Sequence, residues 1–91
     1  METRVAILGI IVENLDSVEL VNRILHEFGN YIIGRMGIPY REKKIHIVSI
    51  AVDAPQDTIS AMAGKIGRLR GISVKTVYSN VTAASGTPLQ K

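Results

Sequence analysis

Two long apolar segments, residues 3–13 and 45–52, constrain the fold of this chain more than any other feature. Both are rich in β-branched Val and Ile, and neither alternates polar with apolar residues as a strand with one hydrated face would. Segments of this kind are typical of strands that lie in the middle of a sheet and are buried on both faces. The sequence therefore predicts a sheet with two central strands.

A helical pattern follows each of these segments. After the first, the polar residues 14–17 offer oxygens for an N-terminal cap, and apolar residues then recur at helical spacing until Gly29 ends the helix. After the second, residues 53–55 open another helix with Pro55 at its first position, and Gly71 ends it. The two apolar stripes consist of Val18, Val21, Ile24, Leu25 and Phe28 in the first helix, and of Ile59, Met62, Ala63, Ile66 and Leu69 in the second.

Two shorter segments complete the predicted order. Residues 31–36 favour a strand, and residues 37–44 are predicted to connect it to the next strand as a hairpin turn. Residues 72–79 alternate polar and apolar, with Lys75 facing outward as in a protected edge strand. The order β-α-β-β-α-β predicts an α+β fold, a ferredoxin-like βαββαβ two-layer sandwich whose antiparallel sheet has the strand order 4-1-3-2.

The length of 91 residues allows one domain. We expect it to span residues 1–79, and we expect residues 80–91, which lack any periodicity, to form a flexible C-terminal tail. The chain has no cysteine, which excludes disulfides, thiolate metal sites and thiol nucleophiles. Because the N-terminus lacks a signal-type pattern and the apolar segments are too short to span a bilayer, we expect a soluble cytoplasmic protein without membrane contact.

No combination of residues predicts catalysis or metal binding. The two histidines, His26 and His46, lie on different predicted elements, and neither is accompanied by a cluster of histidines or carboxylates. The sequence therefore predicts that the protein is not an enzyme and has no cofactor and no metal site.

The net charge is +3, and the basic residues concentrate in the second half of the chain. Such an asymmetry is compatible with nucleic-acid binding, but a solvated turn and the end of a helix would show it as well. The predicted central strands also lack the aromatic residues on which ferredoxin-like RNA-binding domains stack bases. Direct nucleic-acid binding is therefore not expected, although a basic nucleic-acid-binding protein stays the alternative function. The basic residues in question are Arg35, Arg41, Lys43, Lys44, Lys65, Arg68, Arg70 and Lys75.

The first strand is apolar on both faces, whereas two helices can cover only one face of a sheet. Its alternate residues are Ala6, Leu8, Ile10 and Val12 on one side and Val5, Ile7 and Ile11 on the other. Burial of such aliphatic side chains contributes roughly 1.5 to 3 kcal/mol each. We therefore expect a homodimer, or a tetramer assembled from two dimers, that forms through the sheet.

Two stretches, residues 29–41 and 58–75, resemble the regulators of the iron-only hydrogenase system, a small bacterial family of ACT-like domains. The most specific part is Gly-Arg-Met-Gly-Ile-Pro at residues 34–39, and the resemblance covers residue 4 to about residue 79. It implies a stand-alone ACT-like domain that regulates a hydrogenase system, transcriptionally or otherwise, senses a small molecule at a subunit interface and acts through a protein partner. The chain is also similar to the effector domain of the nickel-responsive repressor, in which histidines and a cysteine bind nickel; only His46 could correspond.

The resemblance also directs attention to a ligand site. ACT domains bind amino acids with the loop after the first strand, so we expect any ligand beside residues 14–17 and 30–37, which flank the first helix. Arg35 is the strongest candidate, since a guanidinium binds an anion with two parallel hydrogen bonds. For Asp16, capping of the helix is the competing role. The candidate ligand-binding residues are Asn14, Asp16, Asn30, Gly34, Arg35 and Gly37.

Overall fold

The computed structural model describes residues 2–80 as four strands and two α-helices. The predicted tail lies, from residue 81 onward, outside the described residues. Neighbouring strands pair antiparallel throughout, in the order β2-β3-β1-β4. The prediction of a small α+β domain with a four-stranded antiparallel sheet and two helices is confirmed. The elements are β1 (Arg4–Val12), α1 (Val18–Glu27), β2 (Ile32–Tyr40), β3 (Ile45–Ala54), α2 (Gln56–Gly67) and β4 (Ile72–Tyr78), with short 3-10 turns at Leu15–Ser17, Gly29–Tyr31 and Arg41–Lys43.

The core lies between the helices and one face of the sheet. Alternate residues of β1 and β3 point toward the helices and are fully buried, as the two apolar segments require. The helices contribute the residues of their apolar stripes, and burial of these aliphatic groups stabilises the layer pair. The buried core consists of Ala6, Leu8, Ile10, Val12, Val21, Leu25, Val48, Ile50, Val52, Ala54, Ile59, Met62 and Ile66.

Two predicted boundaries are wrong. Residues 37–40, predicted as part of the turn, belong to β2, and only residues 41–44 form the connection, which ends with Lys44 in the left-handed region at φ 55°. A proline is tolerated at residue 39 because β2 is an edge strand. Residues 53 and 54 belong to β3, and Pro55 is the N-cap of α2 instead of its first residue.

At one end of the sheet, the loop that enters α1 contacts the loop that leaves α2, and Gly71 lies at the centre of this contact. This glycine has φ +70°, and a Cβ added to it would lie 2.6 Å from the Cβ of Asn14. The backbone N–H of Glu13 donates a hydrogen bond of 2.7 Å to the Gly71 carbonyl. Next to it, the buried hydroxyl of Ser17 donates to the Arg70 carbonyl at 2.8 Å. The loop that enters α1 and the loop that leaves α2 therefore form one joint.

The second face of the sheet, here called the open face, is not covered by either helix of residues 2–80. Residues that lie directly opposite in an antiparallel pair share a face, so the pairs Ile7–Val77 and Ile38–Ile47 both belong to it. Ile7 is 47% exposed and Val77 66% exposed. The apolar residues of the open face are Val5, Ile7, Ile11, Met36, Ile38, Tyr40, Ile45, Ile47 and Val77.

Within the described part of the chain, no helix is both long and apolar enough to cross a membrane.

Candidate ligand-binding cleft

A cleft of about 190 Å³ lies between α1 and the outer strand β2, and we call it the α1–β2 cleft. Its apolar wall comes from β1, α1 and β3, and its polar groups come from α1, β2 and β3. The lining residues are Val12, Val18, Val21, Asn22, Arg35, Gly37, Pro39, His46 and Val48.

Strand alternation brings the β2 residues into the cleft. Arg35, Gly37 and Pro39 are every second residue of β2, and they lie opposite Ile50, Val48 and His46 of β3 on the helix-covered face. Gly37 leaves the cleft open, because a Cβ added to it would have no heavy atom within 4 Å. On α1, Val18, Val21 and Asn22 follow the i, i+3, i+4 spacing of one helical face.

A second cavity of about 350 Å³ adjoins the first at the β2–β3 connection, and we call it the hairpin cavity. The two cavities share Pro39 and His46 and therefore adjoin, and we refer to them together as the depression. The hairpin cavity adds two cations, Arg41 and Lys44, to the Arg35 guanidinium of the cleft. Its other lining residues are Leu15, Tyr40 and Ile45.

Cations outnumber carboxylates around this depression, where Glu42 is in contact with the lining through the Tyr40 hydroxyl, which donates to its Oε2 at 3.4 Å. An Nη2 N–H of Arg35 donates a hydrogen bond of 2.9 Å to Oδ1 of Asn22, a neutral amide. Within residues 2–80 the ion pair closer than 4.0 Å joins Lys65 to Glu27 at 3.1 Å, and neither residue lines the depression. No Asp or Glu contributes to either lining, so the field there favours an anion.

The structure brings two of the six predicted ligand residues together, namely Arg35 and Gly37. Asn14 instead caps the turn at Leu15–Ser17, where its Oδ1 accepts the Asp16 N–H at 3.0 Å. Gly34 pairs with Ala51 on the open face. Of the two segments that flank α1, residues 14–17 contribute Leu15 to the hairpin cavity, and residues 30–37 contribute Arg35 and Gly37 to the α1–β2 cleft.

Asp16 and Asn30 are both exposed and line neither the α1–β2 cleft nor the hairpin cavity. Asp16 lies in the turn before α1, and Asn30 in the turn after it. The Asp16 side chain does not supply the cap, since Asn14 does. The expected capping of the helix by Asp16 is therefore not found: Asn14 caps the short turn, and Ser17, the N-cap of α1, makes no side-chain capping hydrogen bond.

Sequence reasoning missed three polar or ring-bearing residues of the cleft, namely Asn22, Pro39 and His46. Two signals could have found Pro39 and Asn22, whereas no local signal indicates His46. The alternation of residues 35, 37 and 39 places them on one face of a strand, and Asn22 follows Val18 by one helical turn. Among residues 2–80, no group of three or more His, Asp or Glu side chains is placed to hold a metal ion.

Comparisons with known proteins give a consistent picture of the fold. The solved structure of TM1266, an uncharacterized protein from Thermotoga maritima, matches with a TM-score of 0.81 and 38% identity over 85% of this chain and 98% of that chain. A formyltetrahydrofolate deformylase from Pseudomonas putida KT2440 matches with a TM-score of 0.61 and 18% identity over 84% of this chain and 29% of that chain, which shows a shared fold alone. No curated protein is similar enough to the chain to match it.

A family model covers most of the domain. Residues 4–76 match the model described as "TM1266-like: Iron-only hydrogenase system regulator, putative". The match includes both stretches on which the resemblance to the hydrogenase-system regulators was based, up to residue 75. The chain therefore belongs to the TM1266-like family.

Proposed function

We propose that this protein is a non-enzymatic regulatory module of an iron-only hydrogenase system, which binds a small-molecule effector and acts through a protein partner. The family match supports the link to the hydrogenase system. The strand order β2-β3-β1-β4 with both helices on one face supports an ACT-like, ferredoxin-like sandwich. The observation that carries the effector is the α1–β2 cleft, an open depression lined by valines and by one guanidinium.

The chemistry of the cleft favours binding over catalysis. Its polar side chains are Arg35, Asn22 and His46, and no carboxylate or hydroxyl lies in its lining to form a pair with His46. General acid–base and nucleophilic mechanisms both need two groups within hydrogen-bond reach of each other. An arginine beside an apolar wall supplies recognition of charge and shape instead.

Assembly through the open face is a separate part of the proposal. The paired residues of this face include two charged ones, Asp53 and Lys75, which have opposite signs. A second copy of the chain therefore offers an apolar surface of the same kind and a complementary charge for each of them. The α1–β2 cleft lies on the other face, so we place the effector within one protomer and the second copy on the open face.

The effector proposal is tested by filling the cleft. In Gly37→Val the added side chain enters the α1–β2 cleft, and in Gly34→Val the same change falls on the open face of the same strand. Neither position has a positive φ or a heavy atom within 4 Å of the new Cβ, so both variants should fold. A panel of charged and neutral metabolites is screened by thermal shift against all three proteins.

The expected result is at least one compound that raises the Tm of the native protein and of Gly34→Val but not of Gly37→Val. A panel without any such compound would contradict the effector proposal. A compound that acts equally on all three proteins binds elsewhere and would also contradict it.

Assembly is tested by light scattering at micromolar concentration. We expect the mass of a dimer or tetramer for the native chain and that of a monomer for Ile7→Asp, because the substitution places an unpaired charge in the contact. A monomeric native protein would refute assembly through the open face. Circular dichroism of Ile7→Asp shows whether its fold is retained.

The nucleic-acid alternative depends on the cations that have no carboxylate partner. The charge of Lys65 is partly neutralised, because its Nζ forms an ion pair with Glu27, and the same Nζ lies 5.6 Å from the centre of the Phe28 ring. Lys65 is therefore a weaker candidate for contact with a phosphate backbone. Arg41 and Lys44 lie together at the β2–β3 connection. A salt-dependent gel shift on generic duplex DNA that is lost in the double substitution of these two residues would favour the alternative.

A further inference from the structure

We infer that the effector is a small oxyanion with a compact aliphatic body, held by Arg35 at the mouth of the α1–β2 cleft. This inference rests on the proposed function and names the chemical class of ligand for the same site. Three independent properties of the cleft support it, namely its volume, its apolar wall and its uncompensated charge.

The volume sets the size of the part of the ligand that enters the cleft. At about 30 Å³ for each water-sized group, 190 Å³ holds roughly six such groups. The body of such a ligand faces the valine side chains Val12, Val18, Val21 and Val48, which come from three different elements. These side chains offer dispersion contacts but no hydrogen bonds, so an aliphatic group is preferred there.

The charge of the cleft sets the chemistry of the ligand's polar end. Arg35 carries five N–H donors, and the Asn22 amide oxygen accepts from one nitrogen only. The amide leaves the positive charge uncompensated, whereas a carboxylate in its place would neutralise it. The remaining donors of the guanidinium can bind an oxyanion with two parallel hydrogen bonds.

The neighbouring hairpin cavity strengthens this preference. Arg41 and Lys44 line it, and it joins the cleft at Pro39 and His46. Glu42, which accepts from the Tyr40 hydroxyl, offsets one of these charges, so the two cations leave a net positive potential beside the mouth of the cleft. Asn22 acts as a positioning residue, since its hydrogen bond ties the Arg35 guanidinium of β2 to α1 across the cleft.

The experiment compares two probes of nearly equal shape, isovalerate and its neutral amide, isovaleramide. Binding is followed by the methyl resonances of the cleft valines in the native protein, in Arg35→Gln and in Arg23→Gln. The last variant is the matched control, because Arg23 is an exposed arginine of α1 that lines neither cavity.

We expect isovalerate to bind the native protein at least tenfold more tightly than isovaleramide. Arg35→Gln should lower the affinity for isovalerate at least tenfold and leave that for isovaleramide unchanged, while Arg23→Gln should change neither. Equal affinities for the two probes, or unchanged binding of isovalerate to Arg35→Gln, would overturn the inference. Absence of valine shifts with both probes would overturn it as well.

Inorganic phosphate serves as a third probe and tests the aliphatic part of the inference. Phosphate that binds as tightly as isovalerate, shifts the valine methyls and depends on Arg35 would overturn the aliphatic part of the inference, because phosphate has no apolar body. We expect phosphate to bind the cleft at least tenfold more weakly than isovalerate. If a neutral compound from the metabolite panel binds the native protein and its binding is abolished in Gly37→Val, the proposed function stands but the inferred class of ligand is overturned. The two failures are therefore distinguishable.

Discussion

The two faces of the sheet have similar apolar residues and opposite environments. On β1, Ile10 points toward the helices and is 1% exposed, whereas Ile7 points to the open face and is 47% exposed. Both are isoleucines of the same central strand, paired on both sides by β3 and β4. The apolar sequence of a strand thus determines its position in the sheet, whereas the helical layer determines which side chains of that strand become part of the core.

The difference predicts unequal costs for the same substitution. Ile10→Ala should lower the free energy of unfolding by about 2–5 kcal/mol, because it leaves a cavity in the close-packed core. Ile7→Ala should cost less than about 1 kcal/mol in the isolated protomer, since its side chain is already half exposed. Urea unfolding at several protein concentrations measures both values and reveals any contribution from a second copy. Equal losses at low concentration would contradict the comparison.

The joint at Gly71 fixes the helical layer to one end of the sheet, so disturbing it tests how the covered face is held closed. Gly71→Ala should destabilise the protein by about 2 kcal/mol or more, because the residue has φ +70° and its Cβ would collide with Asn14. The control is Gly67→Ala, at the end of α2, which meets no atom within 4 Å and should be neutral or stabilising by up to about 1 kcal/mol. Similar Tm values for the two variants would show that the joint does not constrain the fold.

The smallest expected effect concerns the loop before α1. Asn14→Ala should cost about 1 kcal/mol, since it removes the oxygen that accepts the Asp16 N–H. Asp16→Ala should change stability by less than about 0.5 kcal/mol, because the exposed carboxylate contributes through the helix dipole alone. Thermal unfolding of both variants at low salt measures the difference. A larger loss in Asp16→Ala would return the capping role to that residue.

The sequence was sufficient for the elements whose pattern is set locally. The segment 3–13 and the stripe of α1 predicted a central strand and a helix that begins at Val18, because burial on two faces and helical spacing leave distinct patterns. The end of β2 was missed, since Gly37 and Pro39 are typical turn residues and an edge strand tolerates both. Helix α2 begins one residue later than predicted, with Pro55 as its N-cap, because β3 continues to Ala54, which pairs with Arg4.

The candidate site was predictable only in part, because it is formed by elements that are distant in sequence. Arg35 could be selected from its chemistry, but the surroundings of its guanidinium depend on the gap between α1 and an edge strand that is distant in sequence. No local pattern indicates that Asn22 lies 2.9 Å from Arg35 or that His46 lines the same cleft. The position of residues 14–17 before a helix favours them as a ligand site, but Asn14 packs against Gly71 instead.

The outer strands of the sheet differ in their capacity to template further strands. On β2 the register shifts between Ile32 and Gly34, and Pro39 offers no amide hydrogen, so its outer row of donors is broken. The other margin, β4, runs for seven residues without glycine or proline. Growth of a fibril by lateral strand addition needs two receptive margins on every molecule. Residues 2–80 offer β4 at most, and its Lys75 is a charge of the kind that weakens edge pairing. Pairing between β4 strands would close after two copies, which protects a protein with so much aliphatic surface from polymerising.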